Sequence, residues 1–319
     1  MLLPNRRHNL LFALFMPLLL ACLFAGFTGC SKEEEIPVEE PSPSVTPWVT
    51  IEVEALNTHR EVFFSEAVGD SVSFHIFLPD GYHADTTQFF PVIYWLHGSG
   101  GGEAGIAPLA AHFHQAMSDG KIPEALVVFP NGLPHGMWCN SKDGKQPVEN
   151  MFIHDLIPHV DKEYRTIATR RGRVVEGFSM GGYGAARFGF RHHHLFGGFS
   201  LFGAGPLQKD FSVVPPQNQH IQPIIFNDVF GNDMDYFYAE SPWHLAEQYG
   251  HLLPVPTPKR IIVGKEDFVY PNNLLFHHRL DSLGIPHQYR EFDQLGHKLF
   301  PLLTAMGNQA WLLYNAVFE

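Results

Sequence analysis

"RVVEGFSMGGYGAARFGF", residues 173–190, carries a β-branched run into a serine set between glycines, then into an Ala/Gly-rich helical stretch. A serine where a buried strand must turn sharply into a helix is placed to present its hydroxyl as a nucleophile. Gly177-Phe178-Ser179-Met180-Gly181 fits G-x-S-x-G, the nucleophile elbow. Its glycines stand where a Cβ would block the turn. The pattern is short, and a chain with 29 glycines meets it by chance often enough that the flanking elements and partner residues must carry the reading.

Outward from the elbow, apolar runs alternate with helical patterns. "PVIYWLHG" precedes "GIAPLAAHFHQAMSDG", and "ALVVFPNG" precedes "VENMFIHDLIPHVDKEY". Past the elbow, "KRIIVGKED" leads to "NNLLFHHRLDSLG", and "HQYREFDQLG" to "KLFPLLTAMGNQAWLLYNAVF". Continuous apolar strands separated by helices predict an α/β fold, a mainly parallel sheet covered on both faces. Ligands then bind beyond the carboxyl ends of the strands, where Ser179 falls. Before this alternation, "WVTIEVEAL", "REVFFSEAV" and "SVSFHIFLP" read as antiparallel edge strands. Residues 203–258, rich in Pro, Gly and Asn, show few clear elements and are a candidate partial lid.

The 319 residues, 45% hydrophobic and 13% aromatic, suffice for one large core. The N-terminus stands apart. Arg6-Arg7 precede a nearly unbroken apolar run over residues 10–27, and Phe27-Thr28-Gly29-Cys30 follows. This arrangement resembles the lipobox of bacterial lipoproteins, which implies cleavage before Cys30 and its lipidation; a plain signal peptide or an uncleaved anchor are the alternatives. Ser31, where an Asp would suggest inner-membrane retention, favours the outer membrane. The expected organisation is a signal peptide over 1–29, a Pro/Glu/Ser-rich tether over 30–47 and one enzyme domain over 48–319. Losing Arg6 and Arg7 takes the formal charge from −12 to −14, which argues against nucleic acid or an anionic lipid surface as partner. Membrane contact would be through the lipid alone. Of the three cysteines, Cys22 leaves with the signal and Cys30 would be lipidated, so Cys139 has no disulfide partner.

An acyl-transfer serine needs a base, an orienting carboxylate and oxyanion donors. Asp267 and His297 lie on successive strand-to-helix loops, in the order Ser, acid, His. Asp233, Asp235 and Asp293 are rival acids, and Asp267 is preferred because its loop follows a core strand. Met180 N–H and Ser99, in the glycine-rich loop after "YWLHG", are the candidate oxyanion donors. The same loop contains Gly100-Gly101-Gly102-Glu103-Ala104-Gly105, a G-x-G-x-x-G dinucleotide fingerprint, but the next strand ends in Pro130-Asn131 instead of an acid. No cofactor is expected. His192-His193-His194 ends a helix without metal-ligand spacing and reads as a cap, so no metal is assigned. Trp138, Phe268 and Tyr270 are candidate substrate contacts, with Phe178 and Tyr183 close to the elbow.

Six stretches in order, "HGSGG", "FPNGLPHGMWCNSKDG", "DLIPHVDKEYRTI", "GFSMGGYGAARFGFRH", "VGKEDFVYPNN" and "LGHKLF", resemble the putative-esterase family of α/β hydrolases from about residue 74 onward. That family includes S-formylglutathione hydrolases, feruloyl and acetyl-xylan esterases, enterochelin esterases and mycolyltransferases. The resemblance implies an α/β-hydrolase fold, Ser179 as nucleophile, Asp267 as acid, His297 as base, and Ser99 and Met180 as oxyanion donors. A small-molecule or glycan ester is the expected substrate, foremost an acetyl or hydroxycinnamoyl ester of a carbohydrate. An S-formylglutathione or siderophore-type ester, and a catalytically silent binding module on the same fold, are the alternatives.

Overall fold

The computed structural model describes residues 47–214 and 216–318. The signal segment, Cys30 and the tether up to residue 46 lie outside them. Eight strands form one sheet in the order β1-β2-β4-β3-β5-β6-β7-β8. β1 (Thr58–Ser65) and β2 (Asp70–Phe77) are an antiparallel hairpin, and β2 runs antiparallel to β4 (Leu126–Pro130). From β4 through β3 (Val92–Leu96), β5 (Arg173–Phe178), β6 (Gly198–Phe202), β7 (Lys259–Gly264) and β8 (Gln288–Phe292), every pairing is parallel. β3, β4, β6 and β7 are buried along their whole length, as expected of strands covered on both faces. β8 closes the sheet with a partly exposed, charged edge carrying Arg290 and Glu291, which discourages pairing with another chain.

α1 (Glu103–Ser118), α9 (Leu299–Met306) and α10 (Leu312–Phe318) cover one face. The other is covered by α2 (Val148–Asn150), which runs through π-helical Met151–Leu156 into α3 (Ile157–Glu163), and by α4 (Met180–Arg191). α5 (Gln222–Asp228), α6 (Met234–Glu240), α7 (Pro242–Tyr249) and α8 (Tyr270–Ser282) complete that layer. Two of the sequence expectations are corrected here. Residues 48–56 form no strand. Their N–H groups are taken by side chains of β2, Thr50 N–H donating to Ser73 Oγ (2.8 Å) and Val53 N–H to His75 Nε2 (3.1 Å). Burial lowers the His75 pKa to about 4, which keeps the ring a neutral acceptor. The stretch 203–258 also holds more regular structure than its composition suggests. Three helices lie within it, and α7 packs on α4 as part of the helical layer.

Two buried ionic groups lie on opposite faces of the sheet. Arg187 and Arg191 of α4 bind Glu149 (2.7 and 2.9 Å) and Glu240, and His192 Nε2 lies 2.7 Å from Glu149. This fixes the carboxyl half of α4 to α2 and α6, and it accounts for His192 as a helix-end group. On the opposite face Glu176 of β5 accepts a hydrogen bond from Tyr314, with Arg260 Nη2 3.6 Å away. Burial outweighs the attraction of Arg260 and pushes the Glu176 pKa from 4.5 to about 7. A raised carboxyl pKa means the folded protein holds a proton that the unfolded chain releases, so stability should fall as pH rises from 4.5 towards 7. Urea denaturation at either end of that window should show the wild type losing up to about 3 kcal/mol relative to Glu176→Gln, whose side chain does not titrate. Parallel pH profiles for the two proteins would show that the proton is not held there.

Candidate active site

Ser179 joins β5 to α4 at φ 58° and ψ −119°, a left-handed conformation that a side chain adopts only under constraint. The constraint comes from close packing on both sides. A Cβ on Gly177 would sit 2.4 Å from the Leu96 carbonyl oxygen, and one on Gly181 would sit 1.9 Å from it. Ser179 N–H donates to the Phe202 carbonyl (2.9 Å), and the Ser179 carbonyl accepts from Gly205 N–H (3.1 Å). β6, a five-residue strand that the sequence reading passed over, therefore holds the elbow from below. Its only signal was the short apolar run between Gly198 and Gly203.

The loops after β7 and β8 bring Asp267 and His297 to the serine. Glu266 N–H donates to the Leu295 carbonyl (3.0 Å) and Lys265 N–H to that of Phe292 (2.9 Å), lacing the two loops together. His297 Nδ1 lies 2.9 and 2.8 Å from the two carboxylate oxygens of Asp267, and its Nε2 lies 3.0 Å from Ser179 Oγ. The Asp267 side chain is fully buried and accepts a further hydrogen bond from Val269 N–H (3.0 Å). Phe178 and Phe268 flank the imidazole, with ring centroids 4.5 and 4.7 Å away. Gly203, at φ 47°, leaves room for the pair: a Cβ there would meet Asp267 Oδ2 at 3.0 Å and Phe178 at 3.1 Å.

The rival acids are engaged elsewhere. Asp233 caps α6 and pairs with Lys142. Asp235 is in the first turn of the same helix. Asp293, 79% exposed, pairs with Lys265 (2.8 Å).

Met180 is the first residue of α4, so its N–H has no intrahelical acceptor. Ser99 lines the cavity in a loop that reaches the nucleophile: a Cβ on neighbouring Gly98 would lie 3.4 Å from Ser179 Cβ. His97 braces this loop, a role that sequence reading did not assign. Its Nδ1–H donates to the Gly98 carbonyl (2.8 Å), its Nε2 accepts from Gly132 N–H (3.0 Å), and its carbonyl accepts from Trp138 Nε1–H (3.1 Å). Burial lowers its pKa, consistent with this neutral tautomer. The dinucleotide reading of residues 100–105 finds no partner. Glu103 stands in the first turn of α1, where a diphosphate would need positive charge, and Asn131 uses its amide on the Pro47 carbonyl and Leu133 N–H.

A cavity of about 750 Å³ opens over Ser179 and His297. Phe178 and Phe268 line it beside the histidine, and Pro206, Gln208, Phe211 and Gln222 are also among its lining residues. Two predicted substrate contacts are corrected. Trp138 is fully buried, wedged against Gly132 and Gly184, and works as packing behind His97. Tyr270 points away and donates its hydroxyl to Glu291 (3.0 Å). Tyr183, within α4, is also buried. Cys139 is free and buried, and desolvation raises its thiol pKa to about 12.

An eight-stranded, mostly parallel sheet with a serine elbow at a strand end, an acid and a histidine on later strand ends defines an α/β-hydrolase fold. Solved structures share it. A ferulic acid esterase aligns at a TM-score of 0.65 and 22% identity over 82% of this chain and 98% of its own. An S-formylglutathione hydrolase from Agrobacterium tumefaciens aligns at 0.66 and 17% over 84% and 98%. The chain belongs to the family described as "Putative esterase", whose model matches residues 65–251. Among curated relatives, Esterase Rv1288 of Mycobacterium tuberculosis is 31% identical over 163 residues, 48% of this chain and 33% of that protein. The Endo-1,4-beta-xylanase/feruloyl esterase of Xylanibacter ruminicola is 31% identical over 159 residues, 47% of this chain and 22% of that protein. The match thus spans a third or less of each relative's length.

Proposed function

We propose that the chain is a serine carboxylic-ester hydrolase that works through an acyl-enzyme, with Ser179, His297 and Asp267 as its triad. The observation that carries this is the unbroken line from Asp267 through both ring nitrogens of His297 to Ser179 Oγ, opening on the cavity. In this mechanism His297 Nε2 takes the Ser179 proton as Oγ attacks the ester carbonyl carbon. The buried Asp267 carboxylate holds the tautomer with Nδ1 protonated and stabilises the imidazolium. Met180 N–H and the backbone at Ser99 receive the oxyanion. The imidazolium then protonates the departing alcohol, and a water activated by the same base releases the acid. No cofactor takes part in any of these steps. Hydrolysis of p-nitrophenyl acetate by the full chain, absent in a silent binding module, tests the reading.

The substrate we propose is an acetyl or hydroxycinnamoyl ester of a carbohydrate. Phe178, Phe268 and Phe211 give the cavity aromatic faces that suit an aryl acyl group or a sugar ring, and Gln208 and Asn272 supply polar contacts for hydroxyls. The feruloyl esterases among the relatives and neighbours support this, whereas the S-formylglutathione hydrolases among the neighbours support the alternative thiol ester. The kcat/KM for feruloylated or acetylated sugars should exceed that for S-formylglutathione by at least about tenfold; the opposite order would reject the proposal.

We also propose that Cys30 carries a lipid anchor and that the enzyme sits on the outer membrane, a reading that rests on sequence alone: the basic Arg6-Arg7, the apolar run over residues 10–27, the Phe27-Thr28-Gly29-Cys30 motif and Ser31. Cys30→Ser should abolish metabolic palmitate labelling and leave an unprocessed precursor. Labelling that persists in the variant would remove the proposal.

A further inference from the structure

At the far end of the sheet from Ser179, a group of imidazoles and a carboxylate has a hydrogen-bond pattern that leaves a place for a cation. It is built from α8 and the loop that follows it. His287 Nδ1 lies 2.8 Å from the Ile285 carbonyl, which can only accept, so Nδ1 carries the proton and a neutral His287 presents a lone pair at Nε2. His277 Nδ1 lies 2.8 Å from that lone pair and must donate to it. The other nitrogen of a neutral His277, Nε2, is then also a lone pair, and it faces a carboxylate oxygen of Asp281 at 3.6 Å. Two electron-rich atoms at that separation are too far apart for a good hydrogen bond. They are close to the spacing of two ligands on one tetrahedral ion, about 3.3 Å when each bond is about 2.0 Å.

The surroundings favour this arrangement. The His277 ring is held flat against Tyr289, with centroids 4.2 Å apart and planes 1° from parallel. His278, next in the helix, brings a third ligating atom, and those of His277, His278 and Asp281 all lie within 4.8 Å of one another. His278 and Asp281 are exposed, so their side chains can close on an ion without repacking the core. His287 supplies what metal-bound histidines generally have, an acceptor for the opposite ring N–H.

We propose that His277 Nε2, His278 and Asp281 bind one divalent transition-metal ion of the zinc type, with His287 as the outer partner that orients His277. Two imidazoles and one carboxylate suit Zn²⁺ better than Ca²⁺ or Mg²⁺, which prefer all-oxygen shells. The ion has no place in ester cleavage. α8 starts beside the Asp267 loop and carries the site in its last turns, and His287 enters β8 at the end opposite the His297 loop. Bound there, the ion rests wholly on α8 and reaches the chain entering β8 only through the hydrogen bond between His277 and His287.

Calorimetric titration of the metal-free full chain, without a polyhistidine tag, with Zn²⁺ at neutral pH tests the site. One ion per chain is expected, with binding weakened about 100-fold or more in His278→Ala and in Asp281→Asn. His287→Ala should weaken it about tenfold, as loss of an outer partner does. Ester turnover should be unchanged in all three. His194→Ala, in the other surface histidine tract, should bind as the wild type does. The proposal is overturned if no ion binds, which would leave a proton on His277 Nε2 as the bridge to Asp281. It is equally overturned if one ion still binds the His278→Ala/Asp281→Asn double variant, or if His194→Ala abolishes binding. None of these outcomes depends on the esterase reading.

Discussion

Ser179→Ala should fold like the parent and lose ester turnover on the order of a millionfold, the scale seen when the nucleophile of a serine-protease triad is removed. The hydroxyl contributes only the 3.0 Å contact with His297, whereas the elbow is held by backbone bonds to Phe202 and Gly205 that alanine retains. Alanine accepts the same φ of 58° at a cost similar to serine's, so thermal midpoints should differ little. A fluorophosphonate probe should label the wild type at Ser179 alone and leave the variant unlabelled. Labelling at another residue, or turnover within tenfold of the parent, would mean the nucleophile lies elsewhere.

Asp267→Asn is expected to have the next largest effect. Both carboxylate oxygens lie within 2.9 Å of His297 Nδ1, and neither is exposed to water. An amide keeps the shape but lacks the charge, and it can turn its NH₂ towards Nδ1 and reverse the tautomer, leaving Nε2 protonated when it should accept from Ser179. In the well-studied protease the same change costs about 10⁴-fold in kcat, and here a loss of about 10³–10⁴-fold is expected with KM little altered. Asp293→Asn and Asp233→Asn remove only surface pairs with Lys265 and Lys142, so kcat should stay within about twofold. A crippled Asp293→Asn beside an active Asp267→Asn would move the acid to the neighbouring loop.

The strands that carry Ser179 and Asp267 were legible because each is an apolar run ended by a turn, and burial on both faces leaves such a run without alternation. β6 was hard to find for the same reason in weaker form: four residues after a glycine, with no helix signal of its own behind them. β8, ahead of His297, is a charged and partly exposed edge, legible only from its place between two helical patterns and the Gly-bearing turn that follows it. Residues 48–56 misled because "TIEVEA" alternates like a strand while its backbone is bound by Ser73 and His75, partners that no local pattern announces. Trp138 and Tyr270 show a related limit. Position beyond a strand end puts a side chain near the site, but its direction depends on the gap between Gly132 and Gly184 in one case and on Glu291 in the other. The brace formed by His97 was present in the sequence as His-Gly after a strand, and nothing there distinguished it from a turn.

Part of the cavity lining has an origin of its own. Pro206, Gln208, Phe211 and Gln222 belong to the stretch between β6 and α6, which contributes no strand to the sheet and no member of the triad. Gln222 holds that stretch in shape from within, donating to the Phe211 and Val213 carbonyls and accepting from Gln208. Part of the cavity wall therefore lies on a segment apart from the strand ends that carry Ser179, Asp267 and His297, while Phe178 and Phe268 line the cavity from beside them. Under the proposed reaction, exchanging or lengthening this stretch beyond Gly205, whose N–H holds the Ser179 carbonyl, would reshape one side of the cavity while the strand ends stay in place.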